Sequence, residues 1–314
     1  MAEPGSRERA VIFSSAGLDL AGTLTRPTSG ERPPIVLLLP GSGQTDRDDN
    51  ARALAINAFP AFVQALDGAG LATFRYDKRG VGASPGDYWR TGFDERLADA
   101  GAAIDWLRIQ PDLDSSRIFV LGHSEGALLA VRLAAGGAPV AGLVLLAGSA
   151  KTGEQTLRWQ GARIAASITR FPGFVLRVLH IDPLRAQDKA IARIRATDAD
   201  TLRIQLVNKI NARWMREFIA YDPEPDLAAI RVPVLAITGS KDLQVDPADL
   251  DRMARLITGP FESHEVPDVT HLLRADSGRP SLQTYRRQVK QPVDPRVLDY
   301  VSDWLKKRAE DPTA

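Results

Sequence analysis

Several continuous apolar runs, separated by stretches of helical periodicity, restrict this chain more than any other feature. The clearest are Ile35–Leu39, Ile118–Leu121, Val140–Leu146 and Val232–Thr238, with Leu71–Tyr76 read as a further strand. A strand that is apolar at every position has to be covered on both faces, and strands alternating with helices pair in parallel through crossover helices. The helical stretches expected between them are Asn50–Ala69, ended by Gly70, then Thr91–Gln110, the residues after Ser124, Pro247–Ile257 and the closing Pro295–Arg308. Ala10–Ser14 and Leu18–Arg26 read as an antiparallel pair ahead of the first buried strand, and Phe261–Val266 as a last strand. The fold class expected is therefore α/β, with a mostly parallel sheet and helices on both faces.

The alternation lapses from about Gly148 to Asp222, a segment rich in Arg, Ala and Ile in which no strand stands out. Residues 150–222 are read as a helical cap inserted into a core made of residues 10–149 and 223–310. Such a cap would lie over the strand ends, where ligands bind in open α/β sheets; the alternative is a second domain with its own task. Within it Phe171, Phe174, Val175, Val178 and Leu179 form a helical stripe flanked by Arg170 and Arg177. The plain reading is that this stripe packs on the core and shields a pocket; contact with a lipid surface or with a second copy, as a homodimer, is the other use of it.

Composition excludes several classes. The 314 residues are 44% hydrophobic and 25% charged with a net charge of +1, so no basic surface suits a nucleic acid. The absence of cysteine removes disulfides, thiolate metal sites and a cysteine nucleophile. No run approaches the roughly 18 apolar residues of a membrane span, and the polar start lacks the apolar centre of a signal peptide. A cytoplasmic protein is the expectation. No His-Glu-x-x-His or similar metal spacing occurs, so neither metal nor cofactor is expected.

The chemistry centres on Gly122-His123-Ser124-Glu125-Gly126, which follows one apolar run and opens a helical stretch. A strand that turns at once into a helix strains its corner residue and lifts that side chain clear of the sheet; flanking glycines allow the tight passage. Ser124 is thus presented as a nucleophile. A serine hydroxyl near neutral pH needs an imidazole to take its proton and a carboxylate to orient that imidazole. Of the four histidines, His123 lies inside the corner and should project away from Ser124, His180 lies in the insertion, and His264 falls within a strand. His271, just beyond the last strand, is the candidate base. Asp242, after strand Val232–Thr238, is the candidate acid. Asp246 before Pro247 reads as a helix cap, and Asp268 is too near His271 in sequence to reach around it.

Such chemistry also needs donors for a developing oxyanion. One is the backbone N–H of Glu125, unpartnered at a helix start. The second is assigned to Ser42, with Gly43 or Gln44 as alternatives, in the loop Pro40-Gly41-Ser42-Gly43-Gln44-Thr45-Asp46-Arg47-Asp48. That loop lacks the glycine and Gly-Lys-Ser/Thr spacing of a phosphate cradle. Asp46, Arg47 and Asp48 are expected to form a salt-bridged brace.

Taken together, Pro40–Asp48, the Gly-His-Ser-x-Gly corner and Arg75-Tyr76-Asp77-Lys78-Arg79-Gly80-Val81-Gly82-Ala83-Ser84 resemble the α/β-hydrolase superfamily over about residues 10–310, and within it bacterial carboxylesterases. The resemblance implies an eight-stranded, mostly parallel sheet, a cap after the sixth strand, and Ser124, Asp242 and His271 as nucleophile, acid and base. It implies structural roles for Asp77 and Arg79. Pro40-Gly41 stands where a His-Gly start is common. The substrate expected is a small carboxylic ester, cleaved through an acyl-enzyme. A thioesterase, amidase, peptidase or acyltransferase would use the same residues, and a non-catalytic binding protein on this fold is the reading of a different class.

Overall fold

The computed structural model describes residues 7–28, 30–167, 182–204 and 208–310. Strands β1 (Arg7–Ser15) and β2 (Leu18–Arg26) form a hairpin closed by Ala16 and Gly17, both at positive φ as a two-residue hairpin turn requires. Then come β3 (Ile35–Leu39), a small hairpin of β4 (Asn50–Ala51) and β5 (Leu54–Ala55), helix α1 (Ala58–Gly68) and β6 (Ala72–Tyr76). Helix α2 (Phe93–Arg108), β7 (Ile118–His123), α3 (Glu125–Ala135) and β8 (Gly142–Leu146) complete the first half.

Eight strands make the main sheet, in the order β1-β2-β6-β3-β7-β8-β11-β12, with β11 spanning Val234–Gly239 and β12 Phe261–Val266. From β6 to β12 all neighbours are parallel, and β2 runs against both of its neighbours. The expected eight-stranded, mostly parallel sheet is present. After β3 the chain moves outward to β6, then returns to the other side of β3 for β7. Order reverses there, so the loops leaving β3 and β7 flank a crevice.

Register brings those loops together. Leu39 pairs with Gly122, His123 with Leu146, and Gly239 with Val266, so the β3 loop, the β7 corner and the β11 and β12 loops leave one rim of the sheet. Period-two alternation divides the strands between two cores. Ile35, Leu37 and Leu39 pack with Phe74, Val120, Leu143 and Leu145 beneath α2 and α3. Val36 and Leu38 pack with Phe119, Leu121, Val144 and Leu146 against α1 and the closing helix Pro295–Glu310. Both faces are dry, as the unbroken apolar runs require.

The expected helix Asn50–Ala69 is shorter, starting at Ala58. Asn50 explains the delay: its Oδ1 accepts the Asn57 N–H at 2.7 Å and its Nδ2 donates to Asn57 Oδ1 at 2.9 Å, while Asp46 Oδ1 takes the Asn50 N–H. These local side-chain bonds offer the backbone an alternative to helix, and Asn57 completes the break in the left-handed region. Pro60 falls in the first turn of α1, where its missing N–H costs little.

Between β8 and β11 lie α4 (Gly153–Ser167), α5 (Pro183–Arg195), a hairpin of β9 (Thr201–Ile204) and β10 (Asn208–Asn211), α6 (Ala212–Ala220) and α7 (Glu224–Ala229). The hairpin was not legible: two four-residue strands alternate too briefly to stand out among helices. Ile191, Ile194 and Ile219 form a small core of their own here, joined by Leu157 and Met215. The stripe from Phe171 to Leu179, with Arg170 and Arg177, lies outside the described residues, as does His180. Among the described residues no helix is long and apolar enough to cross a membrane.

Candidate active site

The β7–α3 corner is tightly constrained backbone. Ser124 adopts φ 54° and ψ −111°, a conformation L residues rarely occupy, and its N–H is tied to Leu146 O at 2.8 Å. A Cβ on Gly122 would lie 2.1 Å from the Gly126 carbonyl oxygen, and one on Gly126 would lie 2.0 Å from that of Leu39. Backbone blocks both positions, so the glycines are required by chain crossing. Gly126→Ala is expected to cost at least about 3 kcal/mol, as overpacking against backbone does, read from a denaturant melt. A melt unchanged from that of the native chain would show that the corner relaxes freely.

His271 lies in the loop after β12, buried, with Nδ1 2.7 Å from Asp242 Oδ2. The other Asp242 oxygen accepts the N–H groups of Gln244 at 2.7 Å and Val245 at 2.9 Å. Because the carboxylate only accepts, Nδ1 carries the hydrogen and Nε2 is left unprotonated in the neutral ring. Among the described residues the Ser124 hydroxyl makes no side-chain hydrogen bond. Ser124 and His271 instead line a common cavity of about 270 Å³ with Gly41, Ser42, Leu272 and Tyr285. Catalytic hydrogen bonds often tighten only when substrate is bound.

A second lobe of about 220 Å³ shares Ser42, Ser124 and Gln244 with the first and runs toward α4 and α6. Its wall includes Glu125 and Leu128 of α3, Leu157 and Gln160 of α4, and Trp214, Met215 and Phe218 of α6. Of the three residues considered for the second oxyanion donor, Ser42 lines both lobes. Gly43 and Gln44 line neither.

His123 projects away from Ser124, as expected, and its contacts are specific. Nδ1 lies 2.7 Å from Asp49 Oδ2, and Nε2 donates to the His271 carbonyl at 3.0 Å. Burial lowers the pKa of this imidazole, but the Asp49 charge and hydrogen bond outweigh it, so the net shift is upward. Asp49 also accepts the Gly41 N–H at 2.9 Å and is fully buried. This His–Asp pair joins the β3 loop to the backbone of His271. Sequence reading passed over Asp49, because nothing in a run of acidic loop residues marks which one turns inward.

The brace expected within Asp46-Arg47-Asp48 runs elsewhere. Arg47 pairs with Asp77 at 2.6 Å and Asp48 with Arg75 at 2.7 Å, while Asp46 caps the N–H groups of Asp48 and Asn50. Loop charges three residues apart or fewer reach neighbouring strands more easily than each other. Burial raises the Asp77 pKa, but Arg47 and the N–H groups of Ala83 and Arg47 hold it below the usual carboxylate range. Arg79 pairs with Asp99 at 2.6 Å, away from the cavity. The rival residues are likewise engaged: Asp246 with Lys151 and the Ala248 N–H, Asp268 with Lys241, and His264 with Glu262.

A mostly parallel sheet with this reversal, and a serine at the corner beside it, is the α/β-hydrolase fold. The chain belongs to the serine aminopeptidase S33 family of hydrolases, which matches residues 53–277. It is 25% identical over 296 residues to esterase EstD of Thermotoga maritima, covering 92% of this chain and 66% of EstD, just under two thirds of that protein. Est1E of Butyrivibrio proteoclasticus, solved with ferulic acid, superposes with a TM-score of 0.63 at 18% identity, over 95% of this chain and 97% of that one. Esterase Pf2001 of Pyrococcus furiosus gives 0.61 at 17% identity, over 96% and 91%. At these identities the solved structures share the fold.

Proposed function

We propose that this protein is a carboxylesterase working through an acyl-enzyme. The observation that carries the reading is the convergence, on one cavity, of a serine at a strained corner and a histidine whose Nδ1 is held by a buried carboxylate. Ser124 Oγ attacks the ester carbonyl carbon as its proton passes to His271 Nε2. Asp242 holds the Nδ1–H and balances the imidazolium. The N–H groups of Glu125 and Ser42 receive the oxyanion. The carbonyl re-forms, the alkoxide leaves with the proton from His271, and water then repeats the sequence on the acyl-Ser124 ester, releasing the acid.

Residues 150–222 serve in this reading as a cap over a core of residues 10–149 and 223–310. Leu157, Gln160, Trp214, Met215 and Phe218 support it, since the segment supplies much of the lobe beside Glu125. Paired charge favours a neutral ester over a peptide with a free amino terminus. Among the described residues, the acidic ones lining the two lobes are Glu125 and Asp49, and these are held by Arg96 and His123. Neither is left to grip an ammonium group.

The test is a panel of p-nitrophenyl esters, an acyl thioester and aminoacyl p-nitroanilides, with fluorophosphonate labelling alongside. Esters are expected to give the highest kcat/KM, and the label is expected on Ser124. Faster cleavage of the anilides would make the protein an aminopeptidase instead. Folded protein that takes no label and turns over no substrate would be a binding protein on this fold.

A further inference from the structure

Lys78 is a buried cation that the proposed reaction does not use. It follows β6 in a turn built to hold it: Asp77 Oδ2 accepts the Ala83 N–H at 2.8 Å, Ser84 Oγ donates to the Asp77 carbonyl at 2.7 Å, and a Cβ on Gly82 would lie 2.3 Å from the Asp77 carboxylate. The Lys78 side chain is 7% exposed. Its ammonium donates to the Gly41 carbonyl, lies 3.5 Å from that of Gly43, and stands 3.8 Å from Glu125 Oε2.

We infer that Lys78 is the positioning residue of the oxyanion hole, setting the direction of the Ser42 N–H and supplying positive charge beneath both donors. The inference rests on the esterase reading above. Its geometry follows from the planar trans peptide, in which a carbonyl and the following N–H point in opposite directions. Gly41 O and Ser42 N–H belong to one such plane. The Gly41 carbonyl is held by Lys78 from one side of the loop and by Thr45 Oγ1 at 2.8 Å, and the Gly41 N–H is fixed on Asp49. With the peptide gripped at its oxygen, the Ser42 N–H is aimed the opposite way, and Ser42 lines the cavity together with Ser124.

The same ammonium faces the carboxylate of Glu125, whose backbone N–H is the other donor. Arg96 Nη1 lies 2.7 Å from each oxygen of that carboxylate. With Asp49 already paired to His123, one carboxylate between Lys78 and Arg96 leaves a surplus positive charge under the place where negative charge develops. Preorganised charge in a buried site strengthens such stabilisation without reorganisation during the reaction. The groups facing Lys78 are therefore Glu125 from α3, Arg96 from α2 and Asp49 from the β3 loop. Burial dominates and Arg96 adds to it, against Glu125 and Asp49, so the ammonium's pKa is pushed down to about 8. Deprotonation leaves a neutral amine that still donates to Gly41 but removes the surplus charge, so activity is expected to fall as pH rises through that value.

The experiment compares native protein with Lys78→Met and Thr45→Val, using a p-nitrophenyl ester from pH 6 to 10 with Ser124→Ala as the blank. Lys78→Met is expected to lower kcat about 100-fold, on the order of losing one oxyanion donor. KM should change little, and the alkaline fall should vanish from its profile. Affinity for an oxyanion-forming trifluoromethyl ketone should drop in step with kcat. Thr45→Val, which removes the second grip on the Gly41 carbonyl, should show a smaller loss of the same kind. A folded Lys78→Met with native kcat, or one keeping the alkaline fall, overturns the inference. If Lys78→Met does not fold, a Thr45→Val with native kcat overturns it. Native protein that neither hydrolyses esters nor takes fluorophosphonate removes the esterase reading itself, whereas an active native protein with an indifferent Lys78 removes only this inference.

Discussion

Alanine at Ser124 is expected to lower kcat for p-nitrophenyl ester hydrolysis by about a million-fold, leaving only what binding and the oxyanion donors supply. In the proposed mechanism the size follows from the covalent role of Ser124. Without Oγ no acyl-enzyme forms, and the imidazole has no proton to accept from a bound nucleophile. Stability should change little or rise, because the Ser124 hydroxyl makes no side-chain hydrogen bond among the described residues and the strained backbone is held by its surroundings. Pre-steady-state kinetics are the decisive measurement. Native protein should give a burst of p-nitrophenol matching its concentration if deacylation is the slower half, and the variant none. Retained turnover in Ser124→Ala would assign the chemistry to another residue.

Asp242→Asn is expected to lower kcat about 10⁴-fold with stability nearly unchanged, the loss associated with the wrong imidazole tautomer. The contacts of Asp242 say why. One carboxylate oxygen accepts two backbone N–H groups, from Gln244 and Val245, and the other accepts from His271 Nδ1. An asparagine in that place has to turn its oxygen to the two N–H groups, because its amide nitrogen cannot accept them. The NH₂ then faces Nδ1 and donates to it. That stabilises the tautomer with hydrogen on Nε2, which is useless as a base toward Ser124. Activity should recover in part at high pH, where hydroxide can act in the base's place. Native kcat in this variant would mean that Asp242 only braces its loop.

Much of the fold was legible because period and composition are local properties. Ile35–Leu39 is apolar at every position and lies between two helical layers, as such a run must. The corner was legible for a similar reason, since only glycine fits where Gly122 and Gly126 pass other backbone. Asn50–Ala55 was misread as helix because side-chain bonds from Asp46 and Asn50 compete with helix there, and those bonds depend on loop geometry. The β9–β10 hairpin escaped for want of length. Asp49 and Lys78 escaped because loop residues of ordinary polarity carry no periodic signal of burial.

Order along the chain, with the corner serine first, Asp242 next and His271 last, was enough to name candidates. Sequence by itself determined the parallel sheet, the strained corner and the positions from which a base and an acid could reach the rim, because backbone sterics and hydrophobic alternation act over a few residues. Tertiary structure alone decided which other charges meet across the loops: His123 with Asp49, Arg47 with Asp77, and Lys78 beneath Gly41 and Glu125. Those partners lie up to 74 residues apart, as with His123 and Asp49. Their pairing is set by strand order and burial, which no local pattern encodes.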